Sequence, residues 1–166
     1  MQRINCILKN PEYLKYLKKN IDAEAGRIYC RHNTEHFLDV ARIAYILSME
    51  NHLDMEKEVI YAAGLLHDIG RWAEYEDGTD HAAASKELAE VILPDCGFSV
   101  AETDEICEAI GSHRNGPGRD VSDKGSRLTL SDILYKADKL SRNCVLCEAK
   151  STCKNFQHEE EASFLY

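Results

Sequence analysis

Histidines and aspartates that fall on the apolar stripes of helices are the residues of this sequence best suited to chemistry. His36, for example, lies four residues before Val40 and seven before Ile43, which is the spacing of one helical face. The residues that share this property are His36, His67, Asp68, His81, His113 and Asp138. A single histidine on an apolar face is usually an ordinary core residue. Six such residues on five helices instead indicate a metal centre, because a buried carboxylate is costly unless it is paired or binds metal.

The ligand types indicate which ions and which reaction. Imidazole and carboxylate donors together suit iron or manganese, with zinc or magnesium also compatible. A divalent ion lowers the pKa of bound water to about 7 and polarises a phosphoryl oxygen. Asp68 directly follows His67, so one residue can bind one ion while the other bridges to a second. Asp138 alone also fits a structural acid paired with Lys139 or Arg142.

The elements that carry these residues have the helical period throughout, and no segment alternates with period two. The pattern predicts an all-α protein with helices at 11–21, 34–50, 56–67, 80–93, 98–113 and 128–143. We expect Pro94 to stop the fourth of these and the Asn115–Gly118 breakers to follow the fifth. A chain of 166 residues is most simply one domain.

Composition excludes several classes of function. The formal net charge of −9 disfavours broad binding to nucleic acids or to anionic membranes. No apolar run approaches the roughly 20 residues of a membrane helix, and no signal peptide is visible. We therefore expect a cytoplasmic protein. The sequence gives no oligomeric state.

The order His36, His67-Asp68, Asp138 resembles the signature of the HD superfamily of metal-dependent phosphohydrolases. The flanking residues are similar as well: Leu65-Leu66-His67-Asp68-Ile69-Gly70 is the HDIG form of the central motif. The resemblance covers roughly residues 30–142. It implies an all-α HD-domain helical bundle of about five core helices around the metal centre, within an HD domain at 1–143. Residues 144–166 then form a cysteine-containing tail packed on the same domain.

The resemblance also implies an activity. His81 and His113 resemble the extra histidines of the binuclear branch, so they are expected to hold a second ion. The implied reaction is hydrolysis of a phosphoester or phosphoanhydride in a nucleotide-like small molecule by metal-activated water. Asp68 and Arg71 are the predicted catalytic residues, because many relatives carry a phosphate-contacting Lys directly after the motif. A surface Arg71 paired with Glu74 or Glu76 is the alternative.

Further phosphate contacts are predicted at Arg114 and Arg119, in a basic loop that directly follows His113. A solvated connection is the alternative for that loop. Two other functions stay open for the chain as a whole. The same six ligands serve a di-iron oxygenase, and the pocket also suits a regulatory module that only binds a nucleotide.

Seven cysteines, in a reducing compartment, are expected to be thiols or metal ligands. Cys144, Cys147 and Cys153 form C-x2-C-x5-C, a spacing that suits a structural zinc or, less well, an iron–sulfur cluster. Cys30 is the predicted fourth ligand, with His32 as a substitute. Cys30 lies 6 residues before His36, and Cys144 lies 6 residues after Asp138. Because His36 and Asp138 must meet at the metal centre, the two segments that carry these cysteines start from the same point. Free thiols in a frayed tail are the alternative.

Overall fold

The structure, a computed structural model, describes residues 1–113, 128–153 and 166 of the chain. Every regular element in this part is helical, which confirms the all-α prediction. The elements are α1 (Gln2–Ile7), α2 (Pro11–Ala23), α3 (Thr34–Glu50), α4 (Lys57–Leu66), α5 (Arg71–Glu76), α6 (His81–Asp95), α7 (Val100–Ser112), α8 (Leu130–Leu140) and a 3-10 turn at Lys150–Thr152.

Side-chain caps fix where the functional helices begin. Asn33 accepts from the backbone N–H of His36, which sets the start of α3. Asp80 accepts from the N–H groups of Ala82 and Ala83, so His81 becomes the first residue of α6. Thr129 forms a reciprocal capping box with its third following residue at the start of α8. These local signals hold the histidines at defined positions along their helices.

Helix α4 is the centre of the bundle and packs against α1, α3, α6, α7 and α8. Six of the seven residues from Ile60 to Leu66 are buried, and Tyr61 is the exception. Gly64 makes the closest approach to α3, since a Cβ atom there would lie 2.6 Å from the Cα atom of Ala41. The two helices therefore run close together, and the ring centroids of His36 and His67 lie 5.3 Å apart.

The structure differs from the sequence prediction at two short helices and one proline. Helices α1 and α5, each of 6 residues, were not predicted, because one and a half turns carry too little periodic signal. Pro94 does not stop α6 but lies inside its last turn, with the helix ending at Asp95. The proline ring removes one i→i−4 hydrogen bond of this turn, and the helix ends one residue later.

Two cysteines do not follow the thiol prediction. Cys6 and Cys96 form a disulfide with a Cα–Cα distance of 5.4 Å. The expectation of thiols or metal ligands is therefore wrong for this pair. The bond links α1 to the end of α6 across 90 residues of sequence. Neither residue belongs to a local cysteine motif, so only the packing of the two helices reveals the pair.

In the part of the chain that the structure describes, none of the helices has the length and apolar character needed to cross a bilayer.

Candidate metal centre

The six histidines and aspartates singled out in the sequence converge in the interior of the bundle. Their ligand atoms form two groups, and within each group all atoms lie within 4.8 Å of one another. One group consists of His36, His67, Asp68 and Asp138. The other consists of Asp68, His81 and His113. The residues come from α3, the end of α4, the start of α6, the end of α7 and α8.

Asp68 belongs to both groups because its two carboxylate oxygens face different histidines. Its Oδ1 atom lies 3.2 Å from His81 Nε2 and 3.4 Å from His113 Nε2. Its Oδ2 atom lies 3.4 Å from His67 Nε2. One carboxylate thus joins two sets of imidazoles, which is the arrangement of a ligand that bridges two ions.

Several buried polar atoms in this centre lack an ordinary partner. Among the described residues, His36 Nε2, His67 Nε2 and Asp68 Oδ1 are buried and make no hydrogen bond of good geometry. Leaving such atoms unsatisfied costs about 1–3 kcal/mol each. Atoms of this kind, all of them good ligand atoms and aimed at one another, fit a bound metal ion.

The pKa values of the two aspartates favour the ionised, metal-binding form. Burial alone would raise the pKa of Asp138, but His67 and Lys139 outweigh it and lower the pKa to about 2. Burial likewise opposes ionisation of Asp68, and the adjacent histidines hold its pKa well below the usual value. Both carboxylates are therefore negatively charged at neutral pH.

Most of the histidines are neutral in the same range. Burial, reinforced by the neighbouring His67 and His32, lowers the pKa of His36 to about 3. Burial also lowers the pKa of His67 and of His81. Neutral imidazoles and ionised carboxylates are the protonation states that bind metal. His113 differs, because Asp68 outweighs burial and raises its pKa.

The orientation of each imidazole is fixed through its Nδ1 atom. His67 Nδ1 lies 2.8 Å from the carbonyl oxygen of Gly64, and His113 Nδ1 lies 2.5 Å from that of Ile110. His36 Nδ1 lies 3.3 Å from Ser141 Oγ. His81 Nδ1 contacts the carboxylate of Glu74. In all four histidines the Nε2 atom is left to face the centre.

Asn20 on α2 is a positioning residue that the sequence did not reveal. Its side chain is fully buried and donates a 2.9 Å hydrogen bond to the backbone carbonyl of Asp68. Its oxygen accepts a 2.8 Å hydrogen bond from the N–H of Trp72. Asn20 thus clamps the turn that carries Asp68. A lone polar residue in an amphipathic helix gives no signal of such a role.

His32 also reaches the centre, although the sequence left its role ambiguous. Its Nε2 atom lies 3.4 Å from Asp68 Oδ2, and its Nδ1 atom lies 2.6 Å from Glu24 Oε1. Glu24 is buried, which alone would raise its pKa, but His32 lowers the pKa to about 2. The predicted role of His32 as a substitute ligand at the cysteines does not fit this orientation.

A cavity of about 490 Å³ leads from solvent to these residues. Cationic side chains line it together with the metal-facing groups: Arg27, Arg71, Lys139 and Arg142. Lys139 and Arg142 both contact Asp138 Oδ2, at 2.6 Å and 3.3 Å. The cavity therefore combines buried anionic ligands with a positively charged rim, which suits an anionic substrate.

Arg71 lines this cavity but is not free of protein partners. Its Nη1 atom lies 3.0 Å from Glu74 Oε2 and 2.7 Å from His81 Nδ1. The sequence allowed Arg71 either to pair with Glu74 or to contact substrate phosphate. In the structure Arg71 pairs with Glu74 and also lines the cavity. Arg114 and Arg119, the further predicted phosphate contacts, lie outside the described residues.

Two of the four cysteines predicted to hold a structural ion lie at the cavity. Cys30 and Cys153 line it. The hydroxyl of Tyr29 lies 3.3 Å from both the carbonyl and hydroxyl oxygens of Thr152, which holds the two segments side by side. Burial raises the pKa of Cys30, with smaller effects from Arg142 and the neighbouring thiols.

The groups of three or more ligand atoms found within 4.8 Å in the described part of the chain include none of these cysteines. The thiolate site, with Cys30, Cys144, Cys147 and Cys153 as its ligands, therefore stays a prediction.

Comparison with known proteins gives one family for most of this chain. Residues 33–143 match the HD domain family. An uncharacterised protein of Clostridium beijerinckii is 41% identical over 163 residues, covering 95% of this chain and 98% of that protein.

Two further relatives carry functional descriptions. Ribonuclease Y of Desulfotalea psychrophila is 31% identical over 113 residues, which cover 68% of this chain but 18% of that enzyme. The chain thus spans less than a fifth of that relative. A predicted HD superfamily hydrolase from an uncultured Thermotogales bacterium, known from its crystal structure, shares 26% sequence identity with this chain, and the two structures superpose with a TM-score of 0.55. The similarity covers 76% of this chain and 66% of that one.

Proposed function

Because the chain belongs to the HD domain family, we propose that it hydrolyses a phosphoester or phosphoanhydride bond in a nucleotide-like small molecule, with water as the nucleophile. Metal-dependent hydrolysis follows at the level of the family, from the matched domain and the cluster of histidines and aspartates.

The observation that carries this proposal is the position of Asp68 between two sets of imidazoles. Its Oδ1 atom faces His81 and His113, while its Oδ2 atom faces His67. Two divalent ions sharing such a carboxylate would supply Lewis acidity at the phosphoryl group and a water of lowered pKa. Imidazole and carboxylate donors favour iron or manganese, and zinc or magnesium also suit them.

The chain's own residues account for binding and orientation of the substrate. The cationic rim of Arg27, Arg71 and Arg142 attracts a phosphate group to the mouth of the cavity. Arg71 presents a planar guanidinium that can bind two phosphate oxygens at once. Its contacts with Glu74 and His81 hold that guanidinium next to the metal ligands. Asp68 and Asp138 are 4% and 6% exposed, so the cavity leaves them only a small contact with solvent.

A small substrate is favoured over an RNA chain. The name of the ribonuclease Y relatives assigns RNA cleavage to those longer proteins. This chain carries a net charge of −9, and four of its cationic side chains, Arg27, Arg71, Lys139 and Arg142, line a single cavity. Binding to a nucleic-acid backbone needs a run of phosphate contacts, whereas a single nucleotide needs only one cavity.

The test is a metal analysis of protein purified without oxygen, followed by a screen of nucleotide substrates with the metal found. We expect phosphate or nucleotide release that depends on that metal. Asp68→Asn should reduce turnover by more than about 100-fold, since even residues that support metal ligands contribute 10–100-fold. Asp39→Asn is the matched control, because the side chain of Asp39 on α3 is 50% exposed and pairs only with Arg42 among the described residues.

Other outcomes would assign other functions. A folded Asp68→Asn variant with full activity would contradict the proposed role of this residue. Oxygen consumption without phosphate release would instead assign the di-iron oxygenase reaction. Tight nucleotide binding without turnover under any metal would indicate the regulatory module.

A further inference from the structure

His32 also approaches the metal centre, although its ligand atoms belong to neither of the two groups described above. It lies in the segment before α3, and its ring lines the cavity beside His36, with ring centroids 5.3 Å apart. Its Nε2 atom is 3.4 Å from Asp68 Oδ2, the same distance that separates His67 Nε2 from that oxygen. His32 and His67 therefore face one carboxylate oxygen together.

The Nδ1 atom of His32 is engaged as it is in the other metal-facing histidines. It lies 2.6 Å from Glu24 Oε1, and the backbone N–H of His32 donates a 2.6 Å hydrogen bond to Glu24 Oε2. Both oxygens of one carboxylate thus hold a single histidine. A carboxylate that orients an imidazole through Nδ1 is the usual support of a metal-binding histidine.

Burial of the Glu24 carboxylate is unfavourable for the free energy of folding. Its side chain is 3% exposed, and a buried carboxylate is unfavourable unless it is fully paired. The hydroxyl of Tyr75 donates a 2.7 Å hydrogen bond to Oε1, which completes its surroundings. A merely structural contact between a loop and α2 would not require a buried charge aimed at an imidazole.

We propose that His32 is a seventh metal ligand, which binds the ion held by His36, His67, Asp68 and Asp138 from the side of the cavity. Glu24 is the positioning residue that fixes the His32 ring. The inference rests on the metal centre of the proposed function, but it does not depend on the reaction or on the substrate.

The experiment titrates metal-free protein with Co2+ alone and records both the dissociation constant and the ligand-field absorption. The variants are His32→Gln, Glu24→Gln and the double variant. The control is His52→Asn, because His52 is exposed and has a φ of 52° that asparagine tolerates. Melting temperatures of the metal-free forms report whether each variant is folded. Glutamine at position 32 keeps a polar side chain of similar reach, and His32→Ala is the second variant if it fails to fold.

We expect both single variants to weaken binding of one ion by about 10–100-fold and to change the Co2+ spectrum. The double variant should bind no more weakly than His32→Gln, because Glu24 acts only through His32. Wild-type affinity and spectrum in folded His32→Gln would overturn the proposal. Additive losses in the double variant would also overturn it, since Glu24 would then act independently.

The same measurements separate this inference from the proposed function. Weaker metal binding in the variants, with no nucleotide hydrolysed by the wild type, would support His32 as a ligand and contradict the phosphohydrolase. Normal metal binding in the variants of an active phosphohydrolase would contradict only the role of His32.

Discussion

The backbone N–H of Gly70 donates a 2.9 Å hydrogen bond to Ser85 Oγ, which joins the turn after Asp68 to the second turn of α6. The approach is close because residue 70 has no side chain. A Cβ atom on Gly70 would lie 2.5 Å from the backbone nitrogen of Ser85. The backbone of Gly70 has φ −89°, which other residues adopt, so space rather than conformation requires glycine. The contact brings His81, at the start of the same helix, towards Asp68.

Gly70→Ala should therefore disturb the metal centre as well as the fold. The added methyl group must push α6 away, at a cost of about 1–3 kcal/mol in the free energy of unfolding. His81 would move with the helix, so binding of the ion at His81 and His113 should weaken. Chemical denaturation and metal analysis measure the two effects.

Gly111→Ala is the matched control for this change. A Cβ atom there meets only the end of the Lys86 side chain, at 3.5 Å. Because Gly111 lies inside α7, alanine should stabilise the protein by about 0.5–1 kcal/mol. Equal behaviour of the two variants would show that the close approach at Gly70 has no consequence.

Replacing His81 and His113 together by Ala should remove one of two bound ions. Of the two oxygens of Asp68, His81 and His113 contact Oδ1. Their loss therefore leaves the other group, with His36, His67 and Asp138, its donor atoms. Metal content per chain is the measurement, and His52→Asn is the control. An unchanged stoichiometry would leave a mononuclear site.

Changing Cys144 and Cys147 to Ser should release one equivalent of zinc, or an iron–sulfur cluster, and lower the melting temperature. The physical reason is that a thiolate site would tie the tail to the segment that carries Cys30. Asn143→Ser with Val145→Ser is the control, because both residues are exposed in the same segment. Wild-type metal content and stability in the cysteine variant would identify ordinary thiols.

Arg3→Gln should reduce stability and alter its dependence on pH. Arg3 pairs with Glu58 at 2.8 Å and with Glu102 at 2.7 Å, and so joins α1 to α4 and α7. The pKa of each of these glutamates is lowered from 4.5 to about 2. For Glu58 the main causes are hydrogen bonds with the N-terminal amine and Arg3, and for Glu102 the main cause is the hydrogen bond with Arg3. A lowered folded-state pKa gives stability that is present above pH 4.5 and is lost as the pH falls towards 2.

The variant should therefore lose about 1 kcal/mol at neutral pH and show a shallower loss between pH 4.5 and 2. Urea denaturation across that range measures both. Arg42→Gln is the control, since Arg42 forms an exposed pair with Asp39 alone among the described residues. If both variants follow the wild-type pH profile, the pairs at Arg3 do not contribute to stability.

Much of the fold and most of the centre could be predicted from helical periodicity. The stripe of His36, Val40 and Ile43 is a local pattern, and α3 begins and ends where that pattern does. The same reasoning identified Asp138, because a carboxylate on an apolar stripe must be buried when its helix packs. Burial of Asp138, 6% exposed in the structure, follows directly from its place on α8.

Residues whose role depends on another element could not be found in this way. Asn20 on α2 and Glu24 directly after it look like ordinary polar residues, yet both are buried against the turn and loop that carry Asp68 and His32. Their partners are 48 and 8 residues away and share no periodic pattern with them. Cys6 and Cys96 were missed for the same reason, since 90 residues separate them.

The sequence by itself determined which of the longer helices form and which of their faces are buried, because propensity, capping and periodicity act within a few residues. Only the tertiary structure decided which oxygen of Asp68 each histidine faces. That choice depends on how closely helices approach, as at Gly64 and Gly70, where the lack of a side chain lets backbones meet. Helix approach is a property of the packed bundle, so no single segment of the sequence contains it.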